Sequence, residues 1–166
     1  CAVPQLLDPN FHRSVVLMLE HGSDGALGLV LNHPMPTTLR EVAESLELDW
    51  AGDPEARVRF GGPVDPVRGW ILHDQAKWDP EAEPVAPGLW LTTSLDPMVR
   101  SQQVRFGGDE ARFVFLLGYA GWGGGQLEAT TRAVQISQEG IKAVGGEIDA
   151  LKRRITWERI WAYLQT

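Results

Sequence analysis

Apolar residues come in short runs broken by glycine, proline and charge, a pattern of strands more than of long helices. Ser14-Val15-Val16-Leu17-Met18-Leu19-Glu20 and Ala26-Leu27-Gly28-Leu29-Val30-Leu31-Asn32 read as two strands, joined through His21-Gly22-Ser23-Asp24-Gly25. The Asp-Gly step is a hairpin signal. Both runs are apolar at positions of either parity, so both are expected in the interior of a sheet. Gly28 is expected to mark a bulge or close packing. Pro34 and Pro36 are expected to break pairing. Thr38 and Glu41 are spaced as a capping box, opening a short helix whose buried stripe is Leu39, Val42, Ala43 and Leu46. Further strands are expected at residues 57–60, 69–73 and 89–93. Residues 75–88, with their prolines and acids, read as an exposed loop. Asp96 with Pro97 is expected to start another helix. In the tail, Ile141, Val144, Ile148, Leu151 and Ile155 recur at helical steps, weakened by Gly145-Gly146. Trp157, Ile160, Trp161 and Leu164 form a second helical stripe, with Thr156 as its cap.

The most site-like stretch begins at Phe113-Val114-Phe115-Leu116-Leu117, which reads as a buried strand. Five glycines follow within the eleven residues Gly118 to Glu128. Glycine tolerates positive φ and close backbone approach, so the stretch reads as a loop with a helix starting near Gln126. Free N–H groups at that helix start would favour an anion. No lysine supports a phosphate loop, and no dinucleotide fingerprint is present. The plainer reading is a tight turn that packs Tyr119 and Trp122 on the core.

Composition narrows the function classes. The 166 residues suit one domain, 1–166, and at 43% hydrophobic they are able to bury a core. A net charge of −7 argues against direct nucleic-acid binding, which needs clustered Lys and Arg. Lys152-Arg153-Arg154 is too short a basic run to change that. No apolar run approaches the ~20 residues of a membrane span. Cys1-Ala2-Val3-Pro4 lacks the charged and apolar regions of a secretory signal, so none is expected. An opening without Met leads to the expectation of a longer native N-terminus. A single cysteine excludes an internal disulfide and leads to an expected cytoplasmic location.

Several stretches in combination resemble the YqgE/AlgH family of bacterial proteins. They are Asp8-Pro9-Asn10-Phe11, Arg13 to Leu17, Glu20-His21, Gly25 to Pro34, Gly61-Gly62-Pro63-Val64, Leu72-His73, Gly118 to Trp122 and Gly125 to Glu128. The match runs from residue 1 to about 129 and is poor over 130–155, with Trp157-Glu158-Arg159-Ile160-Trp161 again similar. The resemblance implies an α+β fold: a bifurcated mixed β-sheet, part of it a small closed barrel, surrounded by helices. It also implies a remnant of a first strand near Cys1-Ala2-Val3. It brings no established enzymatic activity; one branch of the family is associated with regulation of alginate production.

The candidate site gathers polar groups expected at strand ends. These are Arg13, Glu20, His21, Asn32, His73, Tyr119, Gln126 and Glu128, with Gly121 and Trp122 of the glycine stretch. A histidine near neutral pKa suits a base, and Glu20 or Glu128 would orient it. Alternatively each group satisfies backbone at a sheet end. Ser14 lacks the Gly-x-Ser-x-Gly elbow of a nucleophile. His21, His73 and a carboxylate lack metal-ligand spacing. Arg13 with the amides of 123–126 would hold a carboxylate or phosphate, or else pairs with Glu128 or Glu20. Trp78, in the acidic loop, is expected to be exposed. The expectation is a non-catalytic regulatory or interaction protein without cofactor, binding a small anionic ligand or a protein partner near Gly118–Glu128. The rival is a hydrolase or transferase using His21 or His73 with Glu128; a transcriptional regulator is third. Oligomeric state stays open.

Overall fold

The computed structural model describes residues 14–50, 52–95 and 112–127. Arg13, Glu128, the Cys1–Val3 strand, the Asp96-Pro97 helix start and both tail helices lie outside these residues.

The hairpin forms as its residues suggest. β1 (Val16–Gly22) and β2 (Gly25–Val30) pair antiparallel, with Gly22 opposite Gly25 and Ser23-Asp24 as the two-residue turn. β2 is interior, but β1 is at an edge of the sheet among the described residues. Register slips between Met18 and Glu20, leaving Leu19 as a bulge. A side chain on Gly28, opposite Met18, would collide with Val16 and Leu17; Gly28 therefore marks close packing, and the bulge belongs to its partner strand.

β3 (Pro34–Thr38) contains both prolines that were expected to break pairing. It lies on the outside of β4 (Arg57–Phe60), paired at Pro34–Arg59 and Thr38–Arg57. An outer strand tolerates missing N–H groups. The capping box opens α1 (Leu39–Ser45): Glu41 N–H donates to Thr38 Oγ1 at 3.2 Å and Thr38 N–H donates to Glu41 Oε2 at 2.7 Å. Leu39 and Ala43 are buried, whereas Leu46 is at the C-cap and 44% exposed, outside the expected stripe.

β5 (Val64–His73) begins earlier than its apolar core suggests, because a register slip between Val64 and Gly69 carries the polar residues Asp65 and Arg68 into the strand. Residues 75–88 are not a loop throughout. They contain β6 (Glu83–Ala86), which pairs with β7 (Leu89–Thr92). The hydroxyl of Thr92 donates to the Asp79 carboxylate, pinning the preceding turn to β7.

β8 (Phe113–Gly123) is the central strand, and it runs through most of the expected glycine loop. One edge pairs antiparallel with β5. The other pairs first with β4, in parallel at Leu116–Leu117, and then with β2, antiparallel from Ala120 to Gly123. The sheet therefore forks at β8, and it is mixed and bifurcated as the resemblance implies. Its longest path, β1-β2-β8-β5-β7-β6, curls into a nearly closed barrel. Surrounding helices are not found: α1 is the one full helix among the described residues.

Side-chain alternation divides the core. Trp70, Leu72, Val114 and Leu116 face a cluster with Leu17, Leu29, Leu31, Leu89 and Leu91, while Ile71 and Phe115 face Leu39, Ala43 and Val58. Both faces of β5 and β8 are covered, which explains their continuous apolar runs.

The fork depends on glycine. Gly61 N–H donates to Leu117 O at 2.7 Å, and Val30 N–H donates to Gly61 O at 2.8 Å. A Cβ on Gly62 would overlap the Tyr119 backbone; one on Gly118 would overlap the carbonyl of Gly62. Gly118 also has φ +75°, where β8 turns from β4 toward β2. The Gly61-Gly62 and Gly118 motifs thus make a backbone crossing.

Candidate functional site

The barrel stays open along one seam. Among the described residues β1 and β6 end the sheet on either side, and neither pairs with the other. Both are irregular there: Leu19 bulges from β1, and β6 contains Pro84 and slips register between Pro84 and Ala86. Bulges and proline disrupt strand pairing. A cavity of about 270 Å³ occupies the seam, between Met18–Glu20 of β1 and Glu83–Val85 of β6. Its apolar wall includes Leu27 and Leu91, and its polar groups include Glu20, Arg68 and Glu83.

Arg68 and Trp70 stand two apart on β5, hence on one face. The Arg68 guanidinium carbon is 4.4 Å from the centroid of the Trp70 ring, a cation–π pair. Tyr119 meets the same indole edge-on at 6.1 Å. The indole N–H of Trp70 is buried and has no acceptor among the described residues. A buried donor left unmade is costly. Glu20, Arg68 and Glu83 are themselves exposed.

The ten residues expected to form a site are not gathered in one hollow. Glu20 lines the cavity, and Tyr119 supports Trp70 from β8. His21 shares a rung with Ala26 and Trp122 at the hairpin end, where His21 is exposed. Gly121 is on the neighbouring rung opposite Leu27, exposed and without positive φ. Gln126 accepts from Gly123 N–H at 2.9 Å, so this amide is not bare. Asn32 accepts from Val15 N–H at 2.8 Å and ties the ends of the hairpin strands together. Arg13 and Glu128 lie outside the described residues.

His73 pairs with Phe113, nine positions along β8 from the Trp122 rung. That separation is on the order of 30 Å of strand at ~3.3 Å per residue, so His21 and His73 do not share a cleft. His73 is fully buried and stacks on Trp78 at 5.2 Å between ring centroids. Trp78 is itself 6% exposed and meets Phe113 edge-on, contrary to the exposure expected for it. Burial pushes the pKa of His73 below its ordinary 6.5, against weaker opposing pulls from the Gln75 backbone, Asp79 and Asp74. Among the described residues neither ring nitrogen has a hydrogen bond of normal geometry. Nearby, Arg112 Nε donates to Asp74 Oδ2 at 2.9 Å, closing the end of β5 onto the start of β8.

Ser14 Oγ lies 3.3 Å from His33 Nε2, but Ser14 is only 1% exposed. A buried hydroxyl gives a substrate carbonyl no approach, so this pair reinforces the Asn32 tie beside it. No group of three His, Cys, Asp or Glu suited to a metal occurs among the described residues. No described helix is long and apolar enough to cross a membrane.

Arg68, Glu83 and Trp70 were not among the residues expected at a site. The available signal was the Arg68-x-Trp70 spacing, which puts a cation and an indole on one strand face.

Comparisons with known proteins agree with this architecture. A family model described as AlgH-like matches residues 1–134. A UPF0301 protein of Myxococcus xanthus is 47% identical over 136 residues, covering 80% of this chain and 71% of that protein. Another, of Magnetococcus marinus, is 46% identical over 127 residues, covering 76% of this chain and 67% of that protein. The solution structure of the AlgH protein from Pseudomonas aeruginosa aligns with a TM-score of 0.59 at 36% identity, covering 77% of this chain and 67% of that one. A Corynebacterium diphtheriae protein of known crystal structure shares the fold, with a TM-score of 0.57 at 21% identity over 82% of this chain and 68% of its own.

Proposed function

The chain belongs to the AlgH-like family, and from that premise we propose that it is a non-catalytic binding protein of the cytoplasm. Its ligand site is the seam cavity between β1 and β6. The observation that carries this reading is Arg68, held over Trp70 at the mouth of a cavity that irregular strand edges keep open. A stacked guanidinium is partly ordered before any ligand arrives, which lowers the entropy lost in gripping a carboxylate or phosphate. The glycine stretch serves the site from behind: β8 sets Tyr119 against Trp70.

Catalysis is the weaker alternative. His73 is sealed under Trp78, His21 is at the hairpin end, and Ser14 is buried. Direct DNA regulation is disfavoured by the net charge of −7.

Calorimetry with 4-methylpentanoate and L-leucine, two small carboxylates with apolar bodies, tests the reading. Binding of at least one to the wild type, lost in Arg68→Ala with the fold retained, is the expected result. Equal affinity in the variant, or no heat with either probe, would refute the cavity as the site.

A further inference from the structure

The charges around the seam specify more than an anion. Glu20 from β1 and Glu83 from β6 stand with Arg68 around one cavity, two carboxylates against one guanidinium. A purely anionic ligand drawn to Arg68 meets unfavourable charge from both glutamates. A purely cationic one leaves Arg68 without an acceptor. A molecule with a carboxylate at one end, an ammonium beside it and an apolar body matches all of these groups at once. The apolar body has Leu27, Val85 and Leu91 to rest on. A cavity of about 270 Å³ is just under the size of ordinary ligand clefts, which run from roughly 300 to 1,000 Å³; it suits an amino acid better than a nucleotide.

Resting on the cavity reading above, we propose that the seam takes a zwitterionic ligand of the apolar α-amino-acid class. Its carboxylate lies on Arg68, its ammonium between Glu20 and Glu83, and its side chain along Leu27 and Leu91. Arg68 offers paired N–H donors that fit a carboxylate in bidentate fashion. The ammonium donates to carboxylates from opposite edges of the seam, so the ligand bridges two strands that cannot pair directly. Binding therefore links β1 to β6 and stabilises the open side of the barrel.

The test compares three isosteric probes by calorimetry on the full chain: L-leucine, 4-methylpentanoate (no ammonium) and L-leucinamide (no carboxylate). L-leucine is expected to bind at least about tenfold more tightly than either of the others. Glu20→Gln and Glu83→Gln are expected to weaken L-leucine about five- to tenfold each and to leave 4-methylpentanoate unchanged or tighter. The three polar residues are exposed, so the variants are expected to keep the wild-type melting temperature, which is checked. If 4-methylpentanoate matches L-leucine, the zwitterion proposal fails while the cavity reading stands. If L-leucinamide matches it, the role of Arg68 fails and the proposal with it. If none binds, both fall together.

Discussion

Gly62 and Gly118 occupy a crossing where the end of β4 and the middle of β8 touch backbone to backbone. Main chain does not yield as a flexible side chain does, so an added methyl has nowhere to go. Gly62→Ala and Gly118→Ala should each cost about 3 kcal/mol or more in urea denaturation. Gly121→Ala is the control: its new Cβ would lie 3.7 Å from Tyr119 and 3.8 Å from Val64, ordinary contact distances. It should change stability by under about 1 kcal/mol. His73 gives a second prediction at this scale. Its folded pKa is depressed below 6.5 by burial, so the unfolded chain takes up that proton more readily. The stability linked to His73 is present in full above pH 6.5 and is lost as pH falls from there through the lower folded value. His73→Phe, which keeps a ring on Trp78, should flatten that part of the profile when urea midpoints at pH 7.5 and 5 are compared. An unchanged slope would show that other groups carry the pH dependence.

At the scale of elements, α1 is short and depends on its start. Thr38→Ala removes the acceptor for the Glu41 N–H and should cost about 1 kcal/mol by denaturation. The bond from the Thr38 backbone holds the Glu41 carboxyl below its ordinary pKa of 4.5, so the cap contribution persists above that pH and fades below it. Asp79→Ala should free the turn before β6 and expose Trp78, read as a red shift in tryptophan emission. Local pairs such as the capping box and the Ser23-Asp24 hairpin were legible because the residues that make them are neighbours in sequence. Edge status was not legible. β1 reads as interior since Leu17 and the residues beside it are apolar on both faces, yet its outer side ends the sheet. Pro34 pairs because an outer strand accepts what an inner one refuses, while the ladder is irregular across Pro36, as expected. The glycine stretch reads as a loop because residue type reports backbone freedom but not what lies against the backbone. The Arg68–Glu20–Glu83 grouping joins three strands far apart in sequence, and no local pattern announces it.

For the whole molecule, the sheet is held from the middle. Among the described strands β8 pairs with β2, β4 and β5, whereas β1 and β6 each have one neighbour. Hydrogen exchange should follow that order, with the amides of β8 and β5 slowest and those of β1 and β6 fastest. Faster exchange in β8 than in β6 would contradict the central role given to it. In the presence of L-leucine, protection should rise in β1 and β6 and change little in β8.

The strand that organises the sheet is also the last of the eight described strands to leave the ribosome. β2, β4 and β5 are all made before they meet the partner that completes their ladders. Until residues 113–123 emerge, the growing chain carries Leu29, Leu72 and Leu89 with no centre to fold around, and such surface is what chaperones hold. A message truncated just before the codon for Phe113 would release a polypeptide containing most of the core residues but not the strand that joins β2, β4 and β5.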